Sequence, residues 1–225
     1  MGIPAAIFDL DETLLGVTSI FRFLEYDLAA RGRPPSAYEA ERAWLGELRS
    51  AGVPRTERNR AFYQAFAGRS AAEVSGRGEV WFLEEHARGA LFDPRVLRRF
   101  RAHTRAGHLT VLVTGSFPPC VEPIARYVRA DVVVCTRPEV VGGRYTGRVD
   151  VPMVGENKVV AVRQLAARHG IDLHQSYAYG DDASDLPVLG LVGSPCAVGD
   201  DPVLLEHAER LGWTTLRRGV TCRTP

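Results

Sequence analysis

Short apolar runs alternate with helical patterns along most of the chain. The run AAIF at residues 5–8 and the run LTVLV at 109–113 are each followed by polar or glycine residues. Runs of this length between turn residues are typical of strands buried on both faces of a parallel sheet. Further strands are predicted at 132–134, 176–179, 196–198 and 214–216, and helices at 94–107, 119–129 and 156–169. This alternation predicts an α/β fold with a doubly wound, mostly parallel sheet.

A segment of about 70 residues after the first strand carries only helical patterns. Within it, Val80, Leu83 and Ala87 recur at helical spacing and predict one apolar helix face. The large aromatic residues of the segment are expected to form its core: Trp44, Phe62, Phe66 and Trp81.

The helical segment interrupts the sheet directly after its first strand. A chain of 225 residues is long enough for one core and a small insertion. We therefore expect a core made of residues 1–14 and 93–225, with an all-helical cap inserted at 15–92.

Composition narrows the class of protein. Apolar residues make up 45% of the chain and charged residues 24%, which excludes a disordered or fibrous protein. The formal net charge is +1 and no basic stripe is interleaved with aromatics, so no nucleic-acid partner is expected. No apolar run approaches the ~18 residues of a membrane span. Since the N-terminal residues also lack a secretory leader pattern, a cytoplasmic location is expected.

Polar residues follow the predicted strands at their carboxyl ends. They are Asp9 and Asp11 after the first strand, Thr114 and Gly115 after the second, and Asp181 and Asp185 after the strand at 176–179. Ligands of open α/β sheets bind outside the carboxyl ends of the strands. These residues are therefore expected to converge on one crevice.

One basic residue differs from all the others. Of the 28 basic residues, 27 are arginine and one is lysine, Lys158, at the start of the helix before the strand at 176–179. A coding bias toward arginine explains the first number but not why one lysine remains there. Because a compact ammonium is not equivalent to a planar guanidinium fork, Lys158 is expected to lie between the Asp9 carboxylate and a bound phosphate.

The residue types indicate phosphate chemistry. Asp9 and Asp11 are two positions apart, so in extended backbone they face the same way, and with Asp181 they form an oxygen site suited to Mg²⁺. Mg²⁺ and Lys158 would neutralise a phosphate, and Thr114 and nearby backbone N–H groups would donate hydrogen bonds to it. One carboxylate can attack phosphorus while the other transfers a proton. Each residue alone is equally typical of a turn; together they indicate a site.

The runs AIFDLDETLL, LVTGS and YAYGDDASDLPVL, with Lys158 between the last two, resemble the four motifs of the haloacid dehalogenase superfamily of phosphatases. The helical insert and the hairpin EVVGGRYTGRV resemble the phosphoserine phosphatase-like branch. The resemblance implies a Rossmann-like core, a small phosphorylated substrate and Mg²⁺. It implies that Asp9 is the nucleophile and a Mg²⁺ ligand, and that Asp11 is the general acid/base and binds Mg²⁺ through its backbone carbonyl. It implies that phosphate is bound by Thr114, Gly115 and Lys158. It also implies that Asp181 binds Mg²⁺ directly and that Asp185 supports the metal site.

The chain departs from that branch at several positions. Thr18 stands where a glutamate holds the amino group of phosphoserine, and Asp182 and Ser184 replace the usual glycine and asparagine. Phosphoserine is therefore expected to be a poor substrate. Glu12 is expected to point away from the crevice because it alternates with Asp11. Four cap arginines could reach an anionic substrate group or lie solvated at the surface: Arg22, Arg55, Arg58 and Arg60.

Two other functions stay open. A phosphotransferase or phosphomutase of the same fold would use the same residues and pass the phosphoryl group to an acceptor other than water. A non-catalytic phosphate-binding module would be expected to lack Asp9 or Asp11, and both are present. The absence of a Gly-x-Gly-x-x-Gly motif after the first strand argues against a dinucleotide-binding oxidoreductase.

Overall fold

A computed structural model of the chain describes residues 2–218. The strands are β1 (Ala5–Phe8), β2 (Leu109–Thr114), β3 (Val132–Cys135), β4 (Val140–Val141), β5 (Arg144–Tyr145), β6 (Tyr177–Gly180), β7 (Ser194–Val198) and β8 (Thr214–Leu216). The helices are α1 (Ser19–Ala30), α2 (Pro35–Ser50), α3 (Arg55–Phe62), α4 (Ala71–Ala87), α5 (Pro94–Arg105), α6 (Pro118–Val128), α7 (Glu156–His169), α8 (Leu186–Leu189) and α9 (Pro202–Leu211). None of these helices has both the length and the apolar character that a membrane span requires.

Six strands form one parallel sheet in the order β3-β2-β1-β6-β7-β8, and β4 and β5 form a separate antiparallel hairpin. The chain builds the sheet outward from β1 to one edge and then returns to build it from β6 to the other. The order of the strands therefore reverses between β1 and β6, where a crevice opens at their carboxyl ends. The predicted doubly wound α/β fold is confirmed.

Alternating side chains of the central strands pack on opposite faces of the sheet. Phe8 belongs to the apolar cluster that includes Phe100 of α5 and Ile124 of α6. Its neighbour Ile7 belongs to the cluster that includes Val162 of α7. This alternation follows from the two-residue period of a strand. Because both faces are covered by helices, the central strand β1 is apolar along its whole length.

The segment from α1 to α4 packs on the same side of the sheet as α6. The ring centroids of Phe23 in α1 and Phe117 before α6 are 5.7 Å apart. A Cβ atom on Gly78 of α4 would lie 2.0 Å from the carbonyl oxygen of Pro119, so only glycine permits this approach of α4 to α6. The helical segment thus shares an apolar core with the sheet, and its treatment as a separate cap domain at 15–92 stays a prediction.

The predicted apolar face of α4 is wrong. Val80 is 47% exposed and Leu83 is 64% exposed, and Ala87 is exposed as well. The helix instead buries the face that carries Trp81, which is fully buried. Val74 and Phe82 are buried on the same side of α4 as Trp81, and together these three side chains remove more apolar area from water than Val80, Leu83 and Ala87 can. Trp44, also expected in the core, is 36% exposed.

Candidate active site

The carboxyl ends of three neighbouring strands bring predicted residues to one crevice. Asp9 follows β1, Thr114 ends β2, and Asp181 follows β6. Phe8 pairs in register with residues of both neighbouring strands, so the three strand ends lie side by side. The crevice opens into a cavity of about 560 Å³. Six of the seven predicted site residues line this cavity: Asp9, Asp11, Thr114, Gly115, Lys158 and Asp181. The seventh, Asp185, is buried behind them.

Lys158 points into the crevice and not to solvent. Its side chain starts in the first turn of α7, and the residue is only 4% exposed. The Nζ atom lies 2.6 Å from Oδ1 of Asp9 and 2.8 Å from Oδ1 of Asp185. Burial alone would lower the pKa of Lys158, but the carboxylates of Asp185 and Asp9 raise it above its ordinary value. The lysine is therefore a fixed positive charge between two carboxylates.

Three carboxylates lie close together at the crevice, and two of them contact this lysine. Oxygen atoms of Asp9, Asp181 and Asp185 all lie within 4.8 Å of one another. Burial raises the pKa of Asp9 to about 7, although Lys158 opposes the shift. Burial and the charges of Asp9 and Asp185 raise the pKa of Asp181 to about 8, while a hydrogen bond of 2.7 Å from Thr13 opposes it. One cation among three carboxylates leaves negative charge uncompensated, and a divalent cation would balance it.

Asp11 has surroundings different from those of Asp9. Its Oδ1 atom accepts a hydrogen bond of 2.8 Å from the backbone N–H of Ser19, the first residue of α1. This contact uses one of the free N–H groups that every helix has at its N-terminus. Burial raises the pKa of Asp11 to about 6, and the hydrogen bonds from Ser19 limit the rise. The helix start thus orients a carboxyl group that can exchange a proton near neutral pH.

The expected direction of Glu12 is wrong. Its backbone has a φ of 60°, in the left-handed region, so the extended alternation stops at Asp11. The chain turns there, and Glu12 lines the cavity. Its Oε1 atom accepts a hydrogen bond of 2.7 Å from the hydroxyl of Thr18. A carboxylate therefore faces the cavity next to Thr18, where the sequence indicated that none would be. The expectation that phosphoserine is a poor substrate was based partly on the lack of such a carboxylate, and it stays a prediction.

The loop after β2 joins the sheet to the helical segment. Thr114 is 1% exposed, and its hydroxyl accepts a hydrogen bond of 3.1 Å from the backbone N–H of Ser116. The carbonyl oxygen of Gly115 accepts hydrogen bonds of 3.0 Å from Asn59 and 2.7 Å from the hydroxyl of Tyr63. Sequence reasoning missed Asn59 and Tyr63, because neither belongs to a strand end. These contacts hold α3 over the crevice.

The four arginines considered from the sequence have different partners. Arg22 pairs with Glu85 and Arg60 bonds the carbonyl oxygen of Val149, and neither lines the cavity. Arg55 and Arg58 do line it. Arg55 spans from α3 to the loop after β6, where it contacts the side chains of Asp182 and Ser184. The two residues that depart from the usual fourth motif are thus the ones that bind this arginine of α3.

Two further arginines of the cavity were not considered from the sequence. They are Arg42 and Arg49, both on α2. With Leu45 and Gly46 they occupy positions three, four and seven apart, which is one face of a helix. This spacing was the available signal, but arginines at helical spacing are usually assigned to a solvated face.

A family model for the haloacid dehalogenase-like hydrolases matches residues 6–190. The chain therefore belongs to this family.

Relatives and solved structures agree with this assignment. The chain is 35% identical over 221 residues to the inhibition of morphological differentiation protein of Streptomyces azureus, covering 94% of this chain and 77% of that one. It is 33% identical over 217 residues to phosphoserine phosphatase SerB1 of Mycobacterium tuberculosis, covering 93% and 69%. A crystal structure of a Bordetella pertussis protein of unknown function superimposes with a TM-score of 0.85 at 31% identity, covering 96% and 99%.

These matches confirm the predicted family and the predicted class of enzyme, a phosphatase of this family related to phosphoserine phosphatases. The helical segment lies within the aligned part of each of these three proteins, since more than nine tenths of the chain is covered in every case.

Proposed function

We propose that this protein is a Mg²⁺-dependent phosphomonoester hydrolase that acts on a small phosphorylated metabolite through a phosphorylated Asp9. The observation that carries the proposal is the group of three carboxylates at the crevice between β1 and β6, of which Asp9 and Asp185 contact the buried Lys158. The family supplies the class of reaction, and the side chains described above supply each group that the reaction needs.

The donor set fits Mg²⁺. Carboxylate oxygens are the hard ligands that this ion prefers, and three of them lie within 4.8 Å of one another. Burial raises the pKa values of Asp9 and Asp181 most, and the neighbouring carboxylates raise them further; a bound cation would favour the ionised forms. Asp9, Asp181 and Asp185 would hold the ion, with the backbone carbonyl of Asp11 as a further ligand. When bound, Mg²⁺ would neutralise phosphate oxygens and favour the ionised form of Asp9.

In the first step Asp9 attacks the phosphorus atom. Its Oδ1 atom is bound by Lys158, and within residues 2–218 its Oδ2 atom has no hydrogen-bond partner and is available to attack. A bond forms between Asp9 and phosphorus while the bond from phosphorus to the leaving oxygen breaks. Asp11 gives its proton to the leaving oxygen, which departs as an alcohol. Lys158 stabilises the charge that develops on the phosphoryl oxygens.

In the second step water replaces Asp9 on phosphorus. Asp11, now ionised, takes a proton from the attacking water, and the bond from phosphorus to Asp9 breaks to release inorganic phosphate. The pKa of Asp11, raised by burial to about 6, suits a group that must give a proton in one step and accept one in the next. Asp9 returns to the carboxylate form, so atoms and charges balance over the cycle.

The test is release of inorganic phosphate from p-nitrophenyl phosphate and a panel of phosphorylated metabolites. We expect activity to vanish after chelation with EDTA and to return with Mg²⁺. Asp9→Asn should lower kcat by at least about 10³-fold, because an amide cannot accept the phosphoryl group. The matched control is Asp150→Asn, an exposed carboxylate away from the cavity. Full activity in the chelated protein, or in Asp9→Asn, would overturn the proposal.

A further inference from the structure

Two cap helices turn matching faces toward the cavity. On α2 the cavity-lining residues are Arg42, Leu45, Gly46 and Arg49, and on α3 they are Arg55, Arg58, Asn59 and Phe62. Both sets have the spacing of one helix face, at positions three, four and seven apart. An amphipathic helix normally directs such a face into an apolar core. Here each face carries two arginines and borders an open cavity, so the cavity wall formed by α2 and α3 is cationic.

Three of these arginines lack an acidic partner. Among the residues that the structure describes, no carboxylate oxygen lies within 4.0 Å of the guanidinium groups of Arg42, Arg49 or Arg58. By contrast, Arg69 and Arg77 of the same helical segment both pair with Asp27. Of the four arginines of the segment that have no such partner among residues 2–218, three line the cavity and the fourth, Arg33, is exposed outside it.

Arg58 adds a second, independent sign of a missing ligand. Its Nε atom is buried and has no hydrogen-bond partner within residues 2–218. A buried donor without an acceptor is unfavourable in a folded protein. Burial and the positive charges of Arg49 and Arg55 lower the pKa of Arg58 from its ordinary value. An anion bound at this wall would accept the free hydrogen bonds and relieve the repulsion among the cations.

The wall also leaves space for a ligand. A Cβ atom on Gly46 would meet no atom within 4 Å, so a larger residue is not excluded by packing. Glycine in a helix interior is less favourable than alanine, yet glycine stands here, between Arg42 and Arg49 on the cavity face of α2. The cavity of about 560 Å³ has the size of a metabolite site and exceeds what a phosphate group alone would fill.

We propose that Arg42, Arg49 and Arg58 form a subsite for a second anionic group of the substrate, a carboxylate or a second phosphate. The inference rests on the proposed function, because it places the scissile phosphate at Asp9 and Lys158 and the second anion at the wall formed by α2 and α3. The substrate class is then a phosphomonoester that carries another negative charge. Arg55 is not part of this subsite, since Asp182 and Ser184 already bind it.

The test compares substrates that differ in the second anionic group. One pair is fructose 1,6-bisphosphate against fructose 6-phosphate, and the other is 3-phosphoglycerate against glycerol 3-phosphate. We expect kcat/KM to favour the more anionic member of at least one pair by about tenfold or more, the gain typical of charge-assisted hydrogen bonds. Preference in the first pair alone indicates a phosphate subsite, and preference in the second alone indicates a carboxylate subsite.

Variants assign the preference to the arginines. Arg49→Gln and Arg58→Gln should each reduce the ratio of kcat/KM within the preferred pair by about tenfold, chiefly through KM of the more anionic substrate. The matched control is Arg33→Gln, an exposed cap arginine outside the cavity, which should keep the ratio of the wild type. Because both substrates are measured on the same preparation, the ratio does not depend on the fraction of folded protein.

Three outcomes would overturn the inference. No preference in either pair, with hydrolysis still dependent on Mg²⁺ and Asp9, would remove the subsite and leave the proposed function standing. A preference that survives in Arg49→Gln and Arg58→Gln would mean that other residues bind the second anion. If the wild-type protein hydrolysed no phosphomonoester at all, the proposed function and the subsite would fail together.

Discussion

Two buried ionic clusters in this protein have opposite balances of charge. In the helical segment, the fully buried Asp27 is bound by three arginines: Arg69 at 2.9 Å, Arg77 at 3.1 Å and Arg31 at 3.2 Å. At the crevice of the sheet, three carboxylates lie within 4.8 Å of one another, and within residues 2–218 the only cation within 4.0 Å of any of them is Lys158, which contacts Asp9 and Asp185. In the first cluster, three guanidinium groups neutralise one carboxylate. In the second, one ammonium group cannot neutralise three carboxylates. The comparison shows that burial of a carboxylate does not by itself indicate a ligand site. A ligand site is indicated where the cations of the protein do not neutralise the carboxylates.

Substitution of Lys158 should have the largest effect, and it should fall on catalysis. Lys158→Ala should lower kcat by about 10²–10³-fold, or about 3–4 kcal/mol, because it removes the cation that stabilises the developing charge. Lys158→Arg should also be impaired, since a planar guanidinium cannot occupy the place of the ammonium. Steady-state kinetics measure both. Arg168→Ala, an exposed position of the same helix, is the control, and wild-type rates in both lysine variants would show that the cluster is only structural.

Substitution of Asp27 should affect stability and not catalysis. Asp27→Asn leaves three arginines around an uncharged amide, and we expect the free energy of unfolding to fall by about 3 kcal/mol. Urea denaturation measures the loss. The value of kcat per folded molecule should equal that of the wild type, because Asp27 is not in the cavity. Asp150→Asn should change stability little, and a large loss of kcat in Asp27→Asn would contradict the division between the two clusters.

Mg²⁺ should stabilise the crevice cluster alone. At a concentration one hundred times its dissociation constant, a ligand adds about 2.7 kcal/mol to the free energy of unfolding. For a chain of this size that raises Tm by about 5–10 °C, which differential scanning fluorimetry measures without any turnover. Asp181→Asn should lose most of the shift, whereas Asp27→Asn should keep it. An equal shift in both variants would mean that Mg²⁺ binds elsewhere.

The smallest effect is expected from an exposed pair. Arg126 of α6 and Glu79 of α4 form an ion pair whose side chains are 59% and 46% exposed. Solvent screens such pairs, so Arg126→Ala should change the free energy of unfolding by less than about 1 kcal/mol. Urea denaturation beside Asp27→Asn gives the comparison. A loss as large as that of Asp27→Asn would show that burial is not what separates these ion pairs.

Local pattern was sufficient to predict the sheet and the crevice at the carboxyl ends of its strands. The run before Asp9 is short and apolar, which is the pattern of a parallel strand buried by helices on both faces. This pattern can be recognised from the run itself, without knowledge of the rest of the chain. The end of a strand is also a local property, so the carboxylates after β1 and β6 and the loop at Thr114 could be assigned to one crevice. Lys158 was found because its chemical type is unique in the chain.

The features that the sequence alone did not determine depend on what packs against each residue. Two faces of α4 are apolar, and only its contact with α6 decides that Trp81 is buried and Leu83 is not. Glu12 enters the cavity because its backbone turns into the left-handed region, which the extended pattern before it does not indicate. The arginines of α2 and α3 are alike in the sequence, and the tertiary structure separates Arg60, which bonds backbone carbonyls, from Arg58, which faces the cavity. Periodicity and strand ends are set by a few neighbouring residues, but the partner of a long charged side chain is set by residues far away in the chain, so only the folded structure decides it.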